Sequence, residues 1–330
     1  MNILIIDWTN LLYRSYFSSK NLWMKNSLWI NSWAFFFAIN SFQKIKASMN
    51  FDTSKDKVIF TFDVIKSKLP RLEKFEWYKG TRKRIDDLTF YEQIDNFKKF
   101  IIWTKHDIIF EDYLEADDIC WILAKWFSKN DKINHIYAYS SDKDYYQFIN
   151  KKTTIIRPWL RWVLNHYTFD DYNKEYSNLS NEQFIELKAI VWDKSDNIIW
   201  LDWLWEKTWI KILKEFWSIE KWFSNENWIK KLPKKVRDAV LSTNEWKDWF
   251  ETMIDWYKKD WKMVQEKITN IIKTNLFLAK LNITLDLVPE KNKTNLKVQL
   301  SKLFTKNKDL DYIKWYLDYY DIKKIKPNLI

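Results

Sequence analysis

With 330 residues the chain is long enough to bury a large core in one or two domains, and 55 Lys and Arg against 44 Asp and Glu leave a charge of +11 that favours a polyanionic partner such as nucleic acid. One cysteine, Cys120, excludes an internal disulfide and a cysteine-rich metal site, the three scattered histidines argue against zinc, and the lack of a basic leader or a membrane-length apolar run predicts a soluble, cytoplasmic protein with no membrane contact. Tryptophan outnumbers glycine 23 to 1, and the two together make up the share, about 7%, that glycine alone holds in ordinary globular chains.

Short β-branched or apolar runs predict strands at Ile3 to Ile6, Val58 to Phe62, Ile108 to Phe110, Ile136 to Tyr139 and Thr153 to Ile156. Amphipathic stretches between them, at Phe35 to Ile45, Tyr91 to Ile102 and Ala116 to Phe127, predict helices. The alternation predicts an α/β domain with a central, mostly parallel sheet and helices on both faces. Trp8 interrupts a strand-end turn, Ile5-Ile6-Asp7-Trp8-Thr9-Asn10, of a kind that favours glycine, and Trp200, Trp203 and Trp205 punctuate a later turn in the same way. The pattern predicts a gene in which UGA encodes glycine and has been read as tryptophan, with Gly80 written by an ordinary glycine codon. Segment 66–87 crowds Lys66, Lys68, Arg71, Lys74, Lys79, Arg82, Lys83 and Arg84 into a stretch with little apolar periodicity, as expected of an insert lying over a site or of a solvated charge run. From about Ser180 the pattern turns helical and ends in a Lys/Asn-rich tail.

Carboxylates recur where strands end. Asp7 follows the first predicted strand, Asp63 the second, and Asp142 and Asp144 the fourth, while Glu115, Asp117 and Asp118 open a helix and Asp193 and Asp196 precede the helical region. In open α/β sheets ligands bind beyond the carboxyl ends of the strands, so these side chains are expected to share one crevice. Any one of them taken alone could be a cap or a turn residue, and the helix-opening trio also suits a helix dipole. Nine acids in a basic protein cannot all ionise side by side without cations. An all-oxygen donor set selects Mg²⁺ or Mn²⁺, and two such ions about 4 Å apart could activate water and stabilise the leaving oxygen of a phosphodiester. With glycine at 200, 203 and 205, the segment before Glu206-Lys207-Thr208 reads as a turn whose amides face a phosphate at a helix N-terminus, with Lys207 and Thr208 adding further phosphate-binding groups.

These motifs, Asp7-Trp8-Thr9-Asn10 with Tyr13-Arg14, Tyr78-Lys79-Gly80-Thr81-Arg82, Glu115-Ala116-Asp117-Asp118, Asp142-Lys143-Asp144, and Asp193-Lys194-Ser195-Asp196-Asn197 through Thr208, resemble the 5′-nuclease family in order from residue 1 to about 290. That family includes the 5′→3′ exonuclease domain of bacterial DNA polymerase I, phage 5′-exonucleases and flap endonucleases. Tryptophan stands in place of the family's glycine at 8, 33, 121, 192, 200, 203 and 205, while the acids are all present. The resemblance implies a nuclease α/β domain over 1–175 with a helical arch at about 66–100, a helix-three-turn-helix region over 176–290, and a Lys-rich tail over 291–330 with no polymerase domain.

It also implies that Asp7, Asp63, Glu115, Asp117 and Asp118 bind a first metal ion, that Asp142 and Asp144 bridge to a second, and that Asp193 and Asp196 complete it, for two or three Mg²⁺ or Mn²⁺ ions in all. Lys79 and Arg82 on the arch would join Asp117 in catalysis by pairing with the scissile phosphate. Tyr78 would stack on a base and Arg14 would bind the strand near Asp7. The 192–208 element, with Lys194, Ser195, Trp203, Trp205, Lys207 and Thr208, would hold duplex DNA with K⁺ on its carbonyls. The function so implied is cleavage of DNA and RNA-primed DNA at 5′ flaps, nicks and ends by a monomer at the nucleoid. A PIN-like RNase and a non-catalytic binder of branched DNA are the alternatives.

Overall fold

The structure is a computed structural model. It describes residues 1–19, 32–63, 68–76, 78–80, 88–102, 104, 106–158, 163–191, 206–223, 270, 272–281 and 286–304. The chain divides into two compact units, one of Met1–Glu73, Lys83–Asp171 and Leu281–Ile330, the other of Lys74–Arg82 and Tyr172–Lys280.

The first unit is built on a six-stranded sheet: β1 (Asn2–Asp7), β2 (Lys57–Thr61), β3 (Asp107–Ile109), β4 (His135–Tyr139), β5 (Thr153–Pro158) and β6 (Leu164–Tyr167), in the spatial order β3-β2-β1-β4-β5-β6. All neighbours are parallel except β5 and β6. The five expected strands are present, and β6, whose Leu-Asn-His-Tyr carries no long apolar run, is an addition on the edge. β1 is buried from Ile3 to Asp7, as a central parallel strand covered on both faces must be. Strand order reverses around β1, which has β2 on one side and β4 on the other, and a crevice opens at the carboxyl ends of such strands.

One face of the sheet is covered by α1 (Trp8–Ser19), α2 (Trp33–Ser48) and α4 (Leu88–Ile102), which meet in an aromatic core of Trp8, Phe35, Phe42, Phe60, Phe97 and Phe100. α4 falls within the segment expected to form the arch, and its Phe90, Phe97 and Phe100 are buried in this core. The short α3 is Pro70–Lys74. The other face carries α5 (Ala116–Ser128), whose buried Ile119, Cys120, Leu123, Ala124 and Phe127 form one apolar stripe.

A β-edge needs covering, and β3 has one: α10 (Glu290–Ser301) sends Gln299 to the backbone of Phe110, its Nε2 donating to the carbonyl at 3.0 Å and its Oε1 accepting the N–H at 3.3 Å. The start of the expected tail is therefore a helix packed beside the sheet. Trp8 stacks on Phe97 at a centroid distance of 3.3 Å, closer than the 4.5–7 Å range roughly preferred by ring pairs, and its buried Nε1 has no hydrogen-bond partner among the described residues.

In the second unit, α6 (Phe169–Glu175) leads into α7 (Asn181–Ile190), which is followed in the described residues by α8 (Glu206–Phe216) and α9 (Ile219–Phe223). Ser180 and Gln183 form a reciprocal capping box at the start of α7. Gln183 Nε2 also donates to the carbonyl of Leu213 at 2.8 Å and of Trp217 at 3.3 Å, tying α7 to the end of α8. Trp217 closes α8 in the left-handed region, φ 69°, where a residue with a Cβ is strained and glycine is not. Buried Trp209 and Trp222 meet edge to face at 5.2 Å. No helix among the described residues is long and apolar enough to cross a membrane.

Candidate active site

Asp7 ends β1 and caps α1, its Oδ1 accepting the Asn10 N–H at 2.9 Å. Its Oδ2 accepts the Tyr145 hydroxyl at 3.2 Å. Asn10 in turn accepts the Ser141 hydroxyl at 3.0 Å, joining the start of α1 to the loop after β4. Beyond β2, Asp63 donates its N–H to Thr9 Oγ1 at 3.0 Å and accepts the Ala116 N–H through Oδ1 at 2.8 Å, so it caps α5 from outside. Three loops are thereby fastened around the carboxyl ends of β1, β2 and β4.

Glu115 and Asp118 cap α5 reciprocally, each side chain accepting the other's backbone N–H. Asp117, half-buried, lies with them: one ligand atom from each of Glu115, Asp117 and Asp118 falls within 4.8 Å of the others. Asp142 begins a 3-10 helix, Lys143–Phe148, and accepts the Asp144 N–H at 2.9 Å, while Asp144 is itself buried. The cluster is electrostatically crowded. Burial first, then the charge of Asp63 and more weakly that of Asp142, push the Asp7 carboxyl up to about 8. The grouped carboxylates of Glu115, Asp117 and Asp118 are an all-oxygen donor set, which suits a hard divalent cation. The residues present fit such an ion.

The structure thus brings Asp7, Asp63, Glu115, Asp117, Asp118, Asp142 and Asp144 to one end of the sheet. Arg14 lies on α1, close enough to β4 for its charge to act on the Tyr139 hydroxyl. Tyr78 and Lys79 belong to the second unit, where both are buried, Lys79 has φ 54°, and its ammonium sits 5.0 Å from the Tyr78 ring. Lys207 and Thr208 form the first turn of α8. Arg82, Asp193, Lys194, Ser195, Asp196, Trp203 and Trp205 lie outside the described residues.

Two residues in the site were not singled out from sequence. Arg71, on α3, is buried against Glu115 and Asp118, and one buried arginine among eight neighbouring cations carries no mark of its partners in sequence. Tyr145, fully buried, supports Asp7 and lies 3.1 Å from Cys120 Sγ, which is 3.2 Å from Thr61 Oγ1. Burial, followed by the charge of Asp7, holds the Cys120 thiol well above its ordinary value, so it is a neutral packing group.

Residues 2–184, more than half of the chain, match the family described as the 5′-3′ exonuclease, N-terminal resolvase-like domain. The chain belongs to this 5′-3′ exonuclease family. DNA polymerase I of Lactococcus lactis subsp. cremoris and that of Bacillus subtilis are each 30% identical to it over 250 residues, 74% of this chain and 27% of theirs. The chain spans about a quarter of the length of these polymerases. The 5′-3′ exonuclease of Mycoplasma pneumoniae is 25% identical over 247 residues, 73% of this chain and 81% of that protein. Among solved structures, the bacteriophage T5 D15 protein co-crystallised with metal ions shares the family fold at a TM-score of 0.62 and 20% identity, covering 97% of this chain and 100% of that one. The T5 5′-exonuclease with bound zinc shares it at 0.61 and 19%, covering 97% and 100%.

Proposed function

We propose that this family member is a divalent-metal-dependent nuclease that hydrolyses DNA phosphodiesters near junctions of single strand and duplex, at 5′ flaps, nicks and ends, including RNA-primed ends. The observation that carries the reading is the convergence of Asp7, Asp63 and Asp142 with the α5 acids at the carboxyl ends of β1, β2 and β4, where burial and then the charge of Asp63 raise Asp7 to about 8. The relatives named as 5′-3′ exonucleases and the metal ions of the T5 protein support it.

In this reading Asp7, Asp63, Glu115 and Asp117, with Asp118 beside them on α5, would hold one Mg²⁺ or Mn²⁺, and Asp142, Asp144, Asp193 and Asp196 would hold a second. Bound there, the ions supply Lewis acidity and a water acidic enough to ionise near neutral pH. Water oxygen bonds to phosphorus, the bond to the 3′ oxygen breaks, and that oxygen takes up a proton, leaving a 5′-phosphate and a 3′-hydroxyl. Lys79 and Arg82 stabilise the charge that grows on the phosphate oxygens, Tyr78 stacks on a base, and Arg14 holds the strand. Lys194, Ser195, Lys207 and Thr208 would grip the duplex backbone, with K⁺ bound by the 192–208 segment, and the protein would act as a monomer. We expect Asp117→Asn and Lys79→Ala each to lower cleavage of a 5′-flap duplex by about 100-fold or more while duplex binding in a filter assay is kept. Wild-type turnover in either variant would remove that residue from the mechanism.

A further inference from the structure

The acids at the start of α5 are not equivalent. Arg71 Nη1 and Nη2 grip Asp118 Oδ2 and Oδ1 at 2.9 and 2.8 Å in a two-pronged pair, and Nη1 also reaches Glu115 Oε2 at 2.8 Å. Asp118 Oδ2 accepts in addition the Glu115 N–H at 3.2 Å. Arg71 is 1% exposed and Asp118 0%, whereas Asp117 is half-buried and its Oδ1 takes the Asp118 N–H at 2.7 Å. Both Asp118 oxygens are therefore engaged by a buried guanidinium, whose flat fork matches a carboxylate as a lysine would not.

We propose that Arg71 is a resident counter-cation that withdraws Asp118 from direct metal coordination and makes the Arg71–Asp118 pair a positioning element of the site. The pair clamps α3 to the N-terminus of α5 and fixes the backbone that carries Glu115 and Asp117, so that these residues already stand in place when an ion arrives. It also cancels one buried negative charge, which lets the remaining carboxylates be packed this closely before any ion binds. The family resemblance alone places Asp118 among the ligands; the side-chain geometry gives it to Arg71 instead. This inference rests on the metal-dependent reading of the same site.

The test is Mn²⁺ binding to the full chain, followed by the electron-spin resonance signal of the free ion without nucleic acid, together with melting temperatures in EDTA. Asp118→Asn is expected to keep the wild-type number of bound Mn²⁺, with affinity lowered only as far as Arg71→Met lowers it because either change breaks the same pair, while Asp117→Asn weakens binding by about ten-fold or more. Arg71→Met should lower Tm in EDTA, Arg71→Lys should restore it only in part, and adding Asp118→Asn to Arg71→Met should recover part of the loss, because the buried carboxylate left without its partner is then neutral. Mn²⁺ affinity falling as far in Asp118→Asn as in Asp117→Asn, or no recovery in the double variant, overturns the inference. A wild-type chain that binds no Mn²⁺ and cuts no flap instead overturns the nuclease reading on which it rests.

Discussion

At the scale of single residues, Asp7 is the acid of the site whose carboxyl is pushed furthest from its ordinary range. Burial and the neighbouring Asp63 hold its carboxyl at about 8 in the ion-free fold, against an ordinary value of 3.8. The folded chain keeps a proton that the unfolded chain releases, so this contribution to stability is fully present below the ordinary carboxylate range and is lost as pH rises through about 8. Melting in EDTA should therefore show Tm falling between about pH 4 and pH 8, and Asp7→Asn, neutral throughout, should flatten that slope. An identical slope in both proteins would assign it to other groups. Trp217 makes a second prediction at this scale. Its φ of 69° and the count of 23 tryptophans to one glycine agree that glycine belongs there. Trp217→Gly should stabilise the fold by about 1 kcal/mol in urea denaturation, and peptide masses from the native protein should carry glycine at this position. Indole masses there would refute the recoding.

Among elements, the joints depend on side chains far apart in sequence. Gln183 caps α7 through Ser180 and closes α8 through the carbonyls of Leu213 and Trp217. Gln183→Leu removes both roles, leaving the Ser180 N–H without this acceptor and the Leu213 carbonyl with the Trp217 N–H alone, for an expected loss of about 1–2 kcal/mol in urea. A loss below about 0.5 kcal/mol would show that water replaces the amide. Five strands and the helices α2, α4 and α5 were legible in sequence because their apolar periodicities are local, whereas α1 and α3 were not anticipated. So were the acids, because strand ends and helix starts are local as well. The partners of those acids were not: Arg71 lies 44 and 47 residues from Glu115 and Asp118, and Tyr145 lies 138 from Asp7. β6 escaped notice because its partner β5, not its own short sequence, makes it a strand.

For the molecule as a whole, a basic chain gathers seven of its 44 acids at one end of a mostly parallel sheet, where strand order reverses and three loops are pinned together by Asp7, Asn10 and Asp63. Charge of one sign gathered against the net charge of the protein is what the proposed metal-dependent reading requires of the site. The most direct test is single-turnover cleavage of a 5′-labelled flap duplex across a Mg²⁺ titration, with the product ends identified. A metal-dependent nuclease shows no cleavage in EDTA, saturation with Mg²⁺, products ending in 5′-phosphate and 3′-hydroxyl, and a loss of about 100-fold or more in Asp117→Asn. Cleavage that persists in EDTA, or that Asp117→Asn leaves intact, would contradict the metal-dependent reading.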